Sequence, residues 1–210
     1  MGKDISSILR EMRKAVDRPA VVSYKGKFKV LISTVLSQRT RDANTAKASE
    51  QLFKKYKTPA SLARARLSEI ARLIRPAGFY REKAKKIKAI SKALLSRFEG
   101  KVPDDLEQLL SLPGVGRKTA NCVLVYGFGK RAMPVDVHVH RISNRIGIVE
   151  TKNPEETEFF LRKKIPRKYW LELNHLMVRY GQKVCLPRNP KCDECKICSH
   201  CNYFRLKKQV

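Results

Sequence analysis

Three groups of side chains in this 210-residue chain have the types and spacing for chemistry. Lys118 follows the turn Leu112-Pro113-Gly114-Val115-Gly116 and offers an amine. Asp136 stands just ahead of VHVHRISNRIG and offers a carboxylate. Five of the six cysteines fall at 185, 192, 195, 198 and 201 and offer thiolates. An amine is a nucleophile once its pKa drops from the ordinary value of about 10.4. Arg117 and a helix N-terminus act in that direction, whereas a nearby carboxylate or phosphate acts against it. A carboxylate can stabilise positive charge growing on a reacting atom. The plainer readings are a surface lysine and a helix cap.

The glycine turn has its own use. Gly114 and Gly116 permit positive φ and close approach of another backbone. The amides opening the next helix point outward, and the helix dipole favours an anion there. Arg117-Lys118 follow with no capping acid, which favours a phosphate over a simple helix–helix turn. Val115 is expected at the hairpin tip, packing on a sugar-phosphate. Such contacts give affinity rather than sequence choice.

The cysteines read in two ways. Cys185-x6-Cys192-x2-Cys195-x5-Cys201 is one four-ligand set, and 192–201 also reads C-x2-C-x2-C-x2-C. Clustering with two-residue spacers, without a secretory signal, favours metal over disulfides. Spacing alone leaves zinc and iron–sulfur both open. Cys122 lies in an apolar helix and is expected in the core.

The elements that must position these groups are helices. Ile5, Ile8, Leu9, Met12 and Val16 recur at helical spacing, and Arg18-Pro19 ends that helix. FKVLISTVLS (28–37) is apolar on most sides, as a buried helix is. Asp42 is expected to cap a helix over 43–56, and Ser68-Glu69 to cap one stopping near Pro76-Ala77-Gly78. Over 80–98, Ile87, Ile90, Leu94 and Leu95 form an apolar face, with Lys83, Lys85, Lys86, Lys88 and Lys92 on the others. Further helices are expected at 104–111, 117–127, after Asp136, from Asn153-Pro154 and at 168–181. VDVHV is too short to be a strand. The expected fold class is all-α, in two helical lobes flanking a cleft. One lobe takes 22–132; the other takes 1–21 plus 133–210.

Lys and Arg total 46 against 19 Asp and Glu, giving a net charge of +27. A polyanionic partner relieves such self-repulsion, and nucleic acid is the first candidate. An anionic membrane competes, but the sequence has neither an 18-residue apolar run nor a cleavable N-terminal signal. With a nucleic acid as partner, the amine would attack C1′ of a deoxyribose and the acid would sit under its oxocarbenium-like charge.

LPGVGRKTAN (112–121) with VDVHVHRISNRIG (135–147) resembles the helix-hairpin-helix–Gly/Pro–Asp DNA glycosylases, in particular the endonuclease III branch. The resemblance runs from about Ile32 to Cys201. It implies double-stranded DNA with damaged bases or abasic sites as partner. It makes Lys118 a Schiff-base nucleophile, Asp136 an essential carboxylate, and Gly114, Val115 and Gly116 a phosphate-binding hairpin. Mismatch-specific relatives usually carry Tyr or Ser where Lys118 stands. The lysine therefore implies a bifunctional glycosylase and abasic-site lyase, acting on oxidised pyrimidines and nicking by β-elimination. The resemblance selects Cys185, Cys192, Cys195 and Cys201 as ligands of a [4Fe–4S] cluster, leaves Cys198 spare, and gives DNA contacts to Arg188 and Lys191.

A base attacked at its glycosidic bond must first leave the stack, and something must fill the gap. By the same resemblance the gap is filled from Leu36-Ser37-Gln38-Arg39-Thr40-Arg41-Asp42. Relatives often carry Gln at the position of Arg39; here Gln38 comes one earlier, which leaves Arg39 as the plug and puts opposite-base preference in question. Phe79, in Gly78-Phe79-Tyr80, is expected to stack beside the gap; the alternative is a staple into the core. His138 and His140 are expected to face DNA backbone, with a structural role as the alternative for His140. The protein is expected to be an intracellular monomer, in the cytoplasm or nucleoid if its source is prokaryotic. Two rivals remain: a monofunctional uracil or thymine mismatch glycosylase, and a non-catalytic DNA-binding iron–sulfur module.

Overall fold

The structure, a computed structural model, describes residues 4–16 and 26–207. The helix end expected at Arg18-Pro19 and the lobe boundary expected at 21/22 lie outside the described residues. Every regular element among the described residues is helical, and no helix is long and apolar enough to cross a membrane. The described residues form two compact units, 26–130 and 4–16 with 131–207.

In the first unit the order is α2 (Lys27–Ser37), α3 (Asp42–Lys55), α4 (Pro59–Arg64), α5 (Leu67–Leu73), α6 (Tyr80–Phe98), α7 (Leu106–Leu110) and α8 (Arg117–Phe128). The apolar run of α2 is buried on most sides because α3, α6 and α8 all pack on it. Leu31, Ile32, Val35 and Leu36 are fully enclosed. Thr58 caps α4 in a reciprocal capping box with Ser61.

In the second unit α1 (Ile5–Ala15) joins α9 (Val137–Ile146), α10 (Pro154–Lys164), α11 (Trp170–Lys183) and α12 (Asn202–Lys207). Helix α9 packs on α10, α11 and α12, and α1 packs on α11. The stripe Ile8, Leu9, Met12 meets a core that includes Val139, Ile142, Ile146, Leu173 and Met177.

Several local expectations need correction. Arg41, not Asp42, is the N-cap of α3; Asp42 is its first residue and places its charge in the favourable first turn. Arg66, not Ser68, is the N-cap of α5. Leu95 is 42% exposed, because the apolar stripe of α6 runs through Ile87, Ile90 and Leu94 instead. Lys83 lies on that stripe, four residues before Ile87, and is only 3% exposed. The helix expected from 168 begins at Trp170, after a 3-10 turn over Arg167–Tyr169.

Candidate active site and thiol pocket

In the first unit, α7, the turn at 111–116 and α8 make a helix-hairpin-helix. Helix α6 braces the hairpin: Arg97 donates to Ser111 O at 3.2 Å and to Ser111 Oγ at 2.7 Å. Gly114 has φ +73°, the region glycine favours. A Cβ there would also meet Lys86 Cδ at 2.9 Å. Gly116 is the N-cap of α8 and brings no side chain to the start of the helix. It is extended, with nothing within 4 Å of a notional Cβ, so the protein itself does not require a glycine there. The open space suits close approach of an outside group. Lys118, the second residue of α8, is exposed. Val115 corrects an expectation: it is 6% exposed, and so anchors the hairpin in its own unit.

The loop after α2 is tied to the same hairpin. Gln38 Nε2 donates to Thr119 Oγ1 at 3.1 Å and to Gly114 O at 3.4 Å. Arg39 is exposed with φ +50°, and its guanidinium lies 5.8 Å from the Phe79 ring centre. Thr40 is half-buried and hydrogen-bonds through its hydroxyl to Gln38 O at 3.2 Å. Phe79 is 63% exposed with φ +56°, so it is not a core staple. Gly78 permits this arrangement, since a Cβ there would stand 3.1 Å from Arg39 O. Sequence reasoning missed Lys83. Its ammonium donates to Leu36 O at 2.7 Å, Gln38 O at 2.5 Å and Thr40 Oγ1 at 2.6 Å. Burial, reinforced by the charge of Lys86, pushes its pKa down to about 8.

In the second unit, Asp136 is the N-cap of α9. Its Oδ1 accepts from His138 N at 2.9 Å and Val139 N at 3.0 Å. Asn174 on α11 donates to Pro134 O at 2.7 Å, fixing the segment that leads into the cap. One carboxylate oxygen thus holds the helix. His138 and His140 are both half-buried. His138 Nδ1 lies 3.1 Å from Arg141 Nη2, and His140 Nδ1 lies 2.7 Å from Thr157 Oγ1. The Thr157 contact belongs to a network with Thr151 and Asn144, the structural alternative for His140.

The same unit carries the cysteines. Cys185, Cys192, Cys195, Cys198 and Cys201 line one pocket. All are free thiols. Tyr180 Oη donates to Cys195 Sγ at 3.2 Å, and Arg145 Nη1 donates to Cys185 Sγ at 3.3 Å. Arg145 also donates to Leu186 O and Pro187 O at 2.7 and 2.8 Å, and Arg141 to Cys185 O at 2.8 Å. Burial pushes the Cys195 and Cys201 thiols up. Among the described residues no three Cys, His, Asp or Glu side chains close into a ready-made cage. A pocket lined by soft sulfur donors, with hydrogen bonds already aimed at two of them, nevertheless fits a thiolate-held metal group. Arg188 and Lys191 are exposed between Cys185 and Cys192. Cys122 is buried in α8 as expected.

Comparison with known proteins identifies the family. Residues 32–167 match the family described as HhH-GPD superfamily base excision DNA repair protein. The chain is 55% identical to the endonuclease III of Thermotoga maritima, over 86% of this chain and 84% of that one. It is 38% identical to the endonuclease III of Bacillus subtilis, over 83% and 80%. Its fold is similar to a trapped endonuclease III–DNA covalent intermediate, with a TM-score of 0.88, 36% identity and 97% of each chain covered. A thermostable thymine-DNA glycosylase is also similar, at TM-score 0.82 and 27% identity, over 96% of this chain and 94% of that one. The chain belongs to the HhH-GPD superfamily of base excision DNA repair proteins, in its endonuclease III branch.

Proposed function

We propose that this chain is a bifunctional DNA glycosylase and abasic-site lyase for oxidised pyrimidines, with Lys118 as nucleophile and Asp136 as the carboxylate. The observation that carries the reading is an exposed lysine on the first turn of α8, directly after a glycine hairpin whose N-cap, Gly116, places no side chain over the helix start. The hairpin amides and Gly116 receive a backbone phosphate, which fixes the strand beside Lys118. The Lys118 amine bonds to C1′ as the glycosidic bond breaks and the base departs with a proton. The C1′–O4′ bond then breaks and the sugar ring opens, O4′ taking up the second nitrogen proton as the imine forms. Removal of a C2′ proton then expels the 3′ phosphate, and water on C1′ regenerates the amine. Asp136 stabilises the positive sugar as the base leaves. Arg39 and Phe79, both exposed in left-handed conformations, fill and flank the gap in the stack. His138 and His140 have lower weight as DNA contacts because both rings are engaged within the protein.

Cys185, Cys192, Cys195 and Cys201 would hold a [4Fe–4S] cluster in the thiol pocket, leaving Cys198 spare. Bound there, the group would cross-link a segment with little core of its own. Arg188 and Lys191 project from the loop so held and meet DNA phosphates. The protein works on double-stranded DNA, as a monomer inside the cell.

The test is a panel of duplexes with thymine glycol, 5-hydroxycytosine, uracil, 8-oxoguanine or an abasic site, each opposite every base. Release of the oxidised pyrimidines with strand nicking supports the proposal. Release of only uracil or mismatched thymine, without nicking, selects a monofunctional enzyme instead.

A further inference from the structure

We infer that Lys83 is a positioning residue: it locks the loop Gln38–Thr40 to the turn Gly78–Phe79 and so sets how the base opposite a lesion is read. The inference deepens the glycosylase function proposed above and rests on it. Lys83 lies in the first turn of α6 and is 3% exposed. An ammonium has three N–H donors, and here they go to Leu36 O, Gln38 O and Thr40 Oγ1. All three acceptors belong to the end of α2 and the loop after it. The last carbonyls of a helix lack intrahelical partners and carry the negative end of its dipole, so a buried cation is well placed there. The cost of burying the charge is offset only while all three bonds are made.

The main chain of Lys83 completes the connection. Its N–H donates to Phe79 O at 3.0 Å. One residue therefore holds the carbonyl of Phe79 through its backbone and both flanks of Arg39 through its side chain. Arg39 and Phe79 are two of the four described non-glycine residues with positive φ, a conformation that side chains adopt only at a steric cost. Such a pair persists only where its surroundings fix it. Gly78 lets the two segments touch, since a notional Cβ stands 3.1 Å from Arg39 O. The clamp acts on the loop and turn that aim the two exposed side chains.

Lys83→Met keeps length and removes the donors, and Thr40→Val removes one acceptor. Base release is measured as kcat/KM on thymine glycol duplexes opposite each of the four bases. Strand scission is measured on a single-stranded abasic oligonucleotide, where no gap needs filling. Lys83→Met is expected to lower the duplex-to-single-strand ratio by about ten- to a hundredfold, the range for a small misplacement of a functional group. It should also narrow the spread of rates over the four opposite bases. Thr40→Val should move both readouts the same way by less, and carries the test if Lys83→Met fails to fold. An unchanged ratio and spread in either folded variant overturns the role of Lys83. Wild-type protein inactive on both substrates would overturn the underlying function instead, so the two failures are distinguishable.

Discussion

Gln38 donates to Thr119 Oγ1 at 3.1 Å, which ties the loop after α2 to the residue next to Lys118. The amide is therefore used inside the protein, and the exposed Arg39 is the residue left to project. Gln38→Ala should lower the melting temperature by about 2–4 °C, as a loss of about 1 kcal/mol does in a chain of this size. Arg39→Gln should leave melting within about 1 °C and instead redistribute excision rates over the four opposite bases, because exposed substitutions barely touch stability. Calorimetry with excision assays on both variants separates the two roles.

Asp136 caps α9 and is proposed above as the catalytic carboxylate, and two substitutions separate the two roles. Its Oδ1 caps α9 through His138 N and Val139 N. Asn is as good a cap as Asp. Asp136→Asn should therefore fold with near wild-type stability yet lose most base excision. Asp136→Ala should lose excision and about 1 kcal/mol of stability as well. Denaturant melts with single-turnover excision check both. Asp136→Asn that is fully active would make the carboxylate a cap and nothing more.

Lys83 should leave a mark on stability against pH. Its pKa in the folded chain is about 8, below the ordinary 10.5, because of burial and the nearby Lys86. Between these values the folded chain has released a proton that the unfolded chain still holds. Stability from this group therefore rises as pH increases from about 8 towards 10.5, and the cost of burying the charge is fully present below 8. Denaturant melts of wild type and Lys83→Met at pH 7.5 and pH 10 should show the difference moving in favour of wild type at the higher pH. The opposite drift would contradict the assigned shift.

The thiol pocket gives a metal prediction that does not depend on activity. Purified protein should be brown, with absorbance near ~400 nm and iron rather than zinc. Cys185→Ala, which also loses the sulfur that Arg145 reaches at 3.3 Å, should abolish the absorbance. Cys198→Ala should retain it. Zinc in place of iron, or loss of colour in Cys198→Ala alone, would reverse the ligand assignment.

The helical class was legible because apolar spacing is local: Ile8, Leu9 and Met12 in α1, and Ile87, Ile90 and Leu94 in α6, mark buried faces directly. The cap of α9 was legible for the same reason, since an Asp before a helix acts on amides two and three residues away. The charge of Lys83 suggests a solvated face, although its position four before Ile87 lies on the apolar stripe. Its three acceptors lie on a segment more than 40 residues earlier and leave no local trace. The turn's shape suggests a tip position for Val115, yet it is buried by packing that the turn does not encode. The thiol pocket was legible as a cluster of cysteines, while the hydrogen bonds from Arg145 and Tyr180 onto sulfur depend on tertiary folding.

In the proposed function Lys118 forms the covalent bond to the sugar. The direct measurement is borohydride trapping on duplex DNA with a single abasic site, using wild type and Lys118→Gln. The expected result is a stable protein–DNA adduct for wild type, with peptide mapping placing it on Lys118, and none for Lys118→Gln, which should still bind the duplex. An adduct that persists in Lys118→Gln, or maps to another lysine, would contradict the assignment.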